Sequence, residues 1–161
     1  MKIVLTRIDN RLLHGVTATQ WGPKTKAQRV MVIDDTVAND EMQKSTMKLA
    51  RPAGMAISII PLDKALANFK ANKYEGQNIF LIVKHIETIK RLIEEANVPI
   101  HEVNVGATAQ RSGENLIQVN RFVTIDEQEK QTYLALMEKG VRIYAKYLVA
   151  DSEIDFKTIL K

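Results

Sequence analysis

The chain has 161 residues and no cysteine, which excludes disulfides, thiolate catalysis, iron-sulfur clusters and cysteine-based zinc sites from the outset. No stretch approaches the apolar length needed to cross a bilayer. The start, Met1-Lys2-Ile3-Val4-Leu5, lacks the long apolar core and small-residue cleavage site of a signal peptide. The expectation is a soluble, intracellular protein held together by packing. Neither Gly-x-Gly-x-x-Gly after a strand nor Gly-x4-Gly-Lys-Ser/Thr occurs, so dinucleotide and P-loop nucleotide binding find no support. The 23 basic residues exceed the 19 acidic ones by only four. No run of five like charges occurs, and the few aromatics do not interleave with the basic residues, so nucleic acid is not an expected partner. No internal repeat or low-complexity linker breaks the chain. Its length is that of one domain spanning residues 1–161.

What is present is an alternation of apolar and amphipathic runs. Strands rich in Val and Ile are expected at 2–6, 29–33, 55–60, 78–83, 102–105 and 141–147, most of them apolar on both faces. Helical patterns fall between them: from after His14 to about Lys26, then 39–50, 62–71, 87–96, 126–139 and a short one near 153–160. Asn39 or Asp40 is placed to cap the second helix and Gly140 to end the fifth, while Asp126 stands before a first turn bearing Glu127 and Glu129. Residues 107–114 read as a surface loop, followed by two short strands at 116–119 and 122–125. Strand followed by helix, repeated, predicts an α/β fold: an open, mostly parallel twisted sheet with helices on both faces.

The densest chemistry follows the first strand, in Arg7-Ile8-Asp9-Asn10-Arg11-Leu12-Leu13-His14-Gly15. In open parallel sheets ligands bind beyond the carboxyl ends of the strands, which is where this segment lies. A helix start there offers unpaired N–H groups and partial positive charge, so Gly15, Val16 and their neighbours are candidates to hold an anion near His14. Imidazole is a nucleophile near neutral pH, and a phosphoryl group on it needs charge stabilisation more than acid catalysis. Arg11 is placed to fork onto phosphoryl oxygens, Arg7 to steer or clamp the same group, and Asp9 to orient the ring or hold an arginine. The same residues also fit a solvated turn beside a helix dipole. Trp21 reads as a core anchor, and Met42, Met47 and Leu49 as packing side chains.

Taken together, these residues resemble the enzyme IIB component of the mannose/fructose/sorbose family of the bacterial phosphoenolpyruvate-dependent sugar phosphotransferase system. The family signature is close to Arg-Ile-Asp-x-Arg-Leu-Ile-His-Gly-Gln-Val, and here it stands as Arg7 to Thr17. The likeness continues through Trp21, Val32 to Asp40, Arg51-Pro52-Ala53-Gly54, Val98-Pro99-Ile100, Asn104-Val105-Gly106 and Ile154-Asp155-Phe156-Lys157. It implies a relay in which a phosphohistidine on a IIA component passes its group to His14, on Nδ1. His14 then passes it to a sugar entering through membrane IIC and IID components, with Arg11 supporting transfer. It implies no metal and no cofactor. It further implies cytoplasmic location in peripheral association with those membrane components, and it allows a homodimer. Within the family, overall likeness points first to N-acetylgalactosamine as the sugar, with mannose, fructose and sorbose left open. Three departures stand out: Val16 where glutamine is usual, Ala107-Thr108-Ala109 after Gly106, and Val149 near the proline common before the last helix.

Other candidates lie at strand ends. Asp34-Asp35 follow the second strand and are placed to border the site, Lys84 ends the fourth strand and Gly106 the fifth, and each is a candidate phosphate or partner contact. As a metal pair the two aspartates lack a third ligand. His85 and His101 carry no motif and read as structural. The rival from another class is a binding module that senses a phosphorylated metabolite or partner at the same loop, with His14 only donating a hydrogen bond.

Overall fold

The first strand does not stop at Thr6. In the computed structural model, which describes residues 1–160, β1 runs over Lys2–Asp9 and carries Arg7 and Asp9 into the sheet, so the loop begins only at Asn10. The chain continues through β2 (Arg29–Ile33), β3 (Ala56–Ile60), β4 (Asn78–Val83), β5 (Glu102–Ala107), β6 (Ile117–Asn120), β7 (Val123–Ile125), β8 (Arg142–Ala145) and β9 (Ile154–Asp155). Seven strands form one sheet in the order β3-β2-β4-β1-β5-β8-β9, parallel throughout except for β9, which runs antiparallel to β8. The strands β6 and β7 pair only with each other, antiparallel.

Side-chain alternation along these strands builds two cores, one on each face. Ile8, Met31, Leu81 and Val103 face one of them. There they meet α4 (Leu62–Lys70), α5 (Ile86–Ala96) and α6 (Glu127–Glu138). Val30, Val32, Phe80 and Ile82 face the other. That face is covered by a π-helical turn (Thr17–Trp21) leading into α1 (Gly22–Thr25), and by α2 (Asp35–Ala38) and α3 (Glu41–Leu49). The expected open sheet with helices on both faces is borne out. The chain leaves β1 toward one face, whereas it leaves both neighbours of β1, β4 and β5, toward the other. A crevice therefore opens at the carboxyl end of β1, where sheets of this kind bind ligands.

Several local expectations are corrected. The expected second helix is α3, capped by Asp40, but a short helix that was not expected, α2, stands before it. The Asp34 carboxylate accepts from Val37 N–H at 2.9 Å and starts α2, and Asp40 accepts from Gln43 N–H at 3.1 Å and starts α3. Between them Asn39 closes the first helix. The last helix is instead β9 and a single 3₁₀ turn (Phe156–Thr158). Ile154 and Asp155 pair with Ala145 and Tyr144 and cover the edge of β8, and the buried Phe156 anchors the turn. Met42 and Leu49 do not pack: they stand 81% and 89% exposed, because α3 turns only Met47 inward.

Candidate active site

Asp9 is the last residue of β1 and the hub of the crevice. Its Oδ1 accepts from Arg11 backbone N–H at 3.0 Å, and its Oδ2 accepts from Arg7 Nε at 3.1 Å and from His14 Nε2 at 2.9 Å. A carboxylate can only accept here, so the imidazole proton sits on Nε2 and the Nδ1 lone pair is left unengaged. No group among the described residues hydrogen-bonds Nδ1.

The loop returns His14 to Asp9 by a tight turn. Leu12 N–H donates to Asp9 O at 3.0 Å, and Leu12 takes φ +57°, a left-handed conformation costly for a leucine, while burying its side chain completely. Burial of Leu12 and Leu13 on the second core holds the turn in that shape. Thr17 fixes the other side. Its buried Oγ1 accepts from His14 N–H at 2.8 Å, and the hydroxyl lies 2.9 Å from His14 O, which also accepts from Ala18 N–H. Thr17 thus does for His14 what the third residue of a capping box does for a helix start.

Arg7 stands behind this arrangement and is fully buried. Besides Asp9, its Nη1 donates to Asn104 Oδ1 at 2.6 Å and to Lys146 O at 3.2 Å, and Asn104 Nδ2 donates to that same carbonyl at 3.0 Å. Its guanidinium lies 5.0 Å from the centre of the Trp21 ring and 5.7 Å from that of Tyr147. Burial pulls the guanidinium below its usual pKa range and the adjacent Asp9 carboxylate opposes that shift. Arg7 therefore holds Asp9 from within the sheet, a supporting position.

Gly106 admits that guanidinium. A Cβ there would stand 2.1 Å from Arg7 Cζ. It is also the extra residue where the β1–β5 register shifts, with Ile8 opposite Val105 and Asp9 opposite Ala107. Its place is under Arg7. Gly15 is exposed with open space around it, and Val16 packs its side chain on the second core. Arg11 is exposed, and its guanidinium has no partner among the described residues.

The remaining candidates lie further off. Asp35 is exposed, accepts from Leu62 N–H at 2.8 Å and borders a separate hollow with His85. Lys84 Nζ lies 3.9 Å from Asp34 and lines a cavity of about 340 Å³ with Asn10, Thr108 and Arg111. His101 precedes β5 at the opposite end of the sheet, so the three histidines do not gather, and no metal-ligating cluster occurs among the described residues. Trp21 is buried as expected and its Nε1–H donates to Tyr147 O at 2.9 Å. Asn104 and Thr17 were named in the sequence only as part of the family likeness, without a role at the site, and Tyr147, Arg111 and Arg121 were not singled out. Only Asn104 had a signal there, a polar residue inside the apolar run 103–105.

A doubly wound sheet whose first strand ends on a carboxylate holding an imidazole, beside an unpaired arginine, is the fold and site of a protein of the group-transfer class. The family described as "PTS system sorbose subfamily IIB component" matches residues 3–161, and the chain belongs to it. It is 35% identical to the PTS system fructose-specific EIIB component of Bacillus subtilis (strain 168), over all of this chain and 97% of that one. It is 31% identical to the PTS system mannose-specific EIIAB component of Escherichia coli (strain K12), over 99% of this chain and 49% of that one. The crystal structure of the IIBSor domain of the sorbose permease from Klebsiella pneumoniae superposes with a TM-score of 0.88 at 29% identity, over 97% of this chain and 94% of that one. As a IIB component the chain is a phosphotransferase of the sugar phosphotransferase system, relaying a phosphoryl group from a IIA component toward a sugar. No helix among the described residues is long and apolar enough to cross a membrane.

Proposed function

We propose that His14 is the covalent phosphoryl carrier of this relay and accepts the group on Nδ1. The observation that supports this is the 2.9 Å contact between Asp9 Oδ2 and His14 Nε2, which engages Nε2 and leaves Nδ1 as the ring nitrogen free to react. The Nδ1 lone pair attacks phosphorus as the bond to the donor imidazole of IIA breaks, and the ring proton stays on Nε2 facing Asp9. Positive charge that builds on the ring is met by that carboxylate, which Arg7, itself held by Asn104, keeps from turning. Arg11, free of other partners, is the group that spreads over the phosphoryl oxygens, and the backbone at Gly15 and Val16 adds N–H donors. Loose phosphoryl transfer asks mainly for such positioning and charge. In the second half-reaction a sugar hydroxyl takes phosphorus from Nδ1. The reading includes docking on membrane IIC and IID components at the cytoplasmic side, with N-acetylgalactosamine the first sugar to try.

The test is peptide mass spectrometry after incubation with phosphoenolpyruvate, enzyme I, HPr and a cognate IIA, handled at neutral to alkaline pH. An acid-labile phosphate on the His14 peptide, dependent on IIA and absent in His14→Ala, is expected. No label from a charged, matched IIA would shift the weight to a non-covalent anion sensor, and label persisting in His14→Ala would name another acceptor.

A further inference from the structure

Beside the His14 loop, between β1 and the β6–β7 hairpin, lies a cavity of about 280 Å³. Three arginines line it: Arg11, Arg111 and Arg121. Arg111 is spent, since it pairs with Glu129 at 2.7 Å and with Asp126 at 3.3 Å. Arg11 and Arg121 are exposed and form no ion pair among the described residues, and Asp9, the one acid on the wall, is already occupied by Arg7 and His14. The cavity thus carries two uncompensated guanidinium groups, a setting that selects a dianion such as a phosphomonoester.

The rest of the wall is not that of a bare anion hole. Phe122 and Tyr147 stack with their centroids 4.0 Å apart and both line the cavity, with the Arg121 guanidinium 4.8 Å from the Phe122 ring. The amide of Gln118 donates to backbone carbonyls of the hairpin, including Asn120 O, which leaves its oxygen to accept from a ligand hydroxyl. Apolar ring surface beside amide and guanidinium donors suits a ligand with C–H faces and several hydroxyls. The volume stands just under the roughly 300–1,000 Å³ of drug-sized ligand pockets, room for a monosaccharide and not for a nucleotide sugar.

We propose that this cavity binds a hexose monophosphate, the product class of the relay, and that its occupation withdraws Arg11 from phosphoryl exchange at His14. The choice of sugar and the consequence for exchange rest on the proposed role of His14; the binding itself does not. Product accumulating outside the membrane components would in this way slow recharging of the carrier.

The experiment is a heteronuclear NMR titration of the unphosphorylated protein with mannose 6-phosphate and fructose 1-phosphate, with inorganic phosphate and free mannose as separating arms. Saturable shifts at Arg121, Phe122 and Gln118 are expected with a hexose phosphate. Binding should be about tenfold weaker with inorganic phosphate, as expected when the ring contacts and hydroxyl hydrogen bonds are lost, and absent with mannose. Arg121→Gln should weaken the hexose phosphate about tenfold, the cost of one charge-assisted fork, with an unchanged thermal unfolding curve. Equal affinity for inorganic phosphate, no saturable shift with either sugar phosphate, or an unaltered Arg121→Gln would each overturn the proposal. His14→Ala keeps the cavity, so it should bind the hexose phosphate normally. Loss of the carrier role and loss of this site are therefore read separately.

Discussion

Asp9 Oδ2 lies 2.9 Å from His14 Nε2, and this contact decides which imidazole nitrogen is free to react. Replacing the carboxylate by an amide of the same shape tests it. An asparagine can present either its oxygen or its NH₂ to the ring, so it no longer imposes one tautomer. Asp9→Asn is expected to slow His14 phosphorylation by about 10–100-fold, the cost typical of losing an orienting partner behind a histidine. In ¹⁵N spectra of the imidazole, the wild type should show the proton on Nε2 and the variant a mixture. A wild-type ring protonated on Nδ1 would reverse the assignment.

Gly106→Ala tests the platform beneath Arg7. The added methyl would sit 2.1 Å from Arg7 Cζ, and that guanidinium is fully buried and held by Asp9, Asn104 and Lys146 O. Something must move, and overpacking of this kind costs about 1–3 kcal/mol. Denaturant unfolding should report that loss, and phosphorylation should slow because Asp9 is displaced with Arg7. An alanine variant as stable and as active as wild type would show that Arg7 has another resting place.

Thr17 holds the backbone of His14, not its ring. Thr17→Val is nearly isosteric but removes the acceptor for His14 N–H, leaving a buried donor unpaired at a cost of about 1–3 kcal/mol. A drop in melting temperature of roughly 2–4 °C for each kcal/mol follows for a chain of this size, together with slower phosphorylation. Thr17→Ser keeps the hydroxyl and should restore the rate. If serine and valine behave alike, the methyl group matters and the hydrogen bond does not.

Much of this arrangement was legible along the chain because its parts are local. The alternation of apolar strands and amphipathic helices is written residue by residue, and Arg7, Asp9, Arg11 and His14 fall within eight positions, so their convergence needed only one turn. The burial of Arg7 was not legible from its neighbours in the chain. Its burial is decided by Asn104, Gly106 and Lys146 O, which lie 97 to 139 residues away. Arg121, Phe122 and Tyr147 come together only through sheet order and the hairpin, which no periodicity reveals. The last helix failed for a different reason: Ile154 and Phe156 alternate too briefly to separate strand from helix, and pairing with the open edge of β8 decided it.

Tyr133 gives the alkaline limit of stability. It is buried on α6 with its ring 4.9 Å from that of Phe156, and burial pushes its phenol well above the ordinary range, with nearby Glu129 adding to the shift. Tyr144 is raised too, first by burial and then by donating to Glu102 at 2.7 Å. The folded phenols keep their protons where unfolded tyrosines lose them, near pH 10. Above that point the unfolded chain binds fewer protons than the folded one, so stability is fully present below about pH 10 and falls as pH rises, by about 1.4 kcal/mol per pH unit for each such tyrosine. Tyr133→Phe keeps the ring and removes the titration, so urea midpoints measured from about pH 9 to about pH 11 should fall less steeply by one tyrosine's share. An identical slope in the variant would mean that Tyr133 ionises in the folded protein much as it does in water.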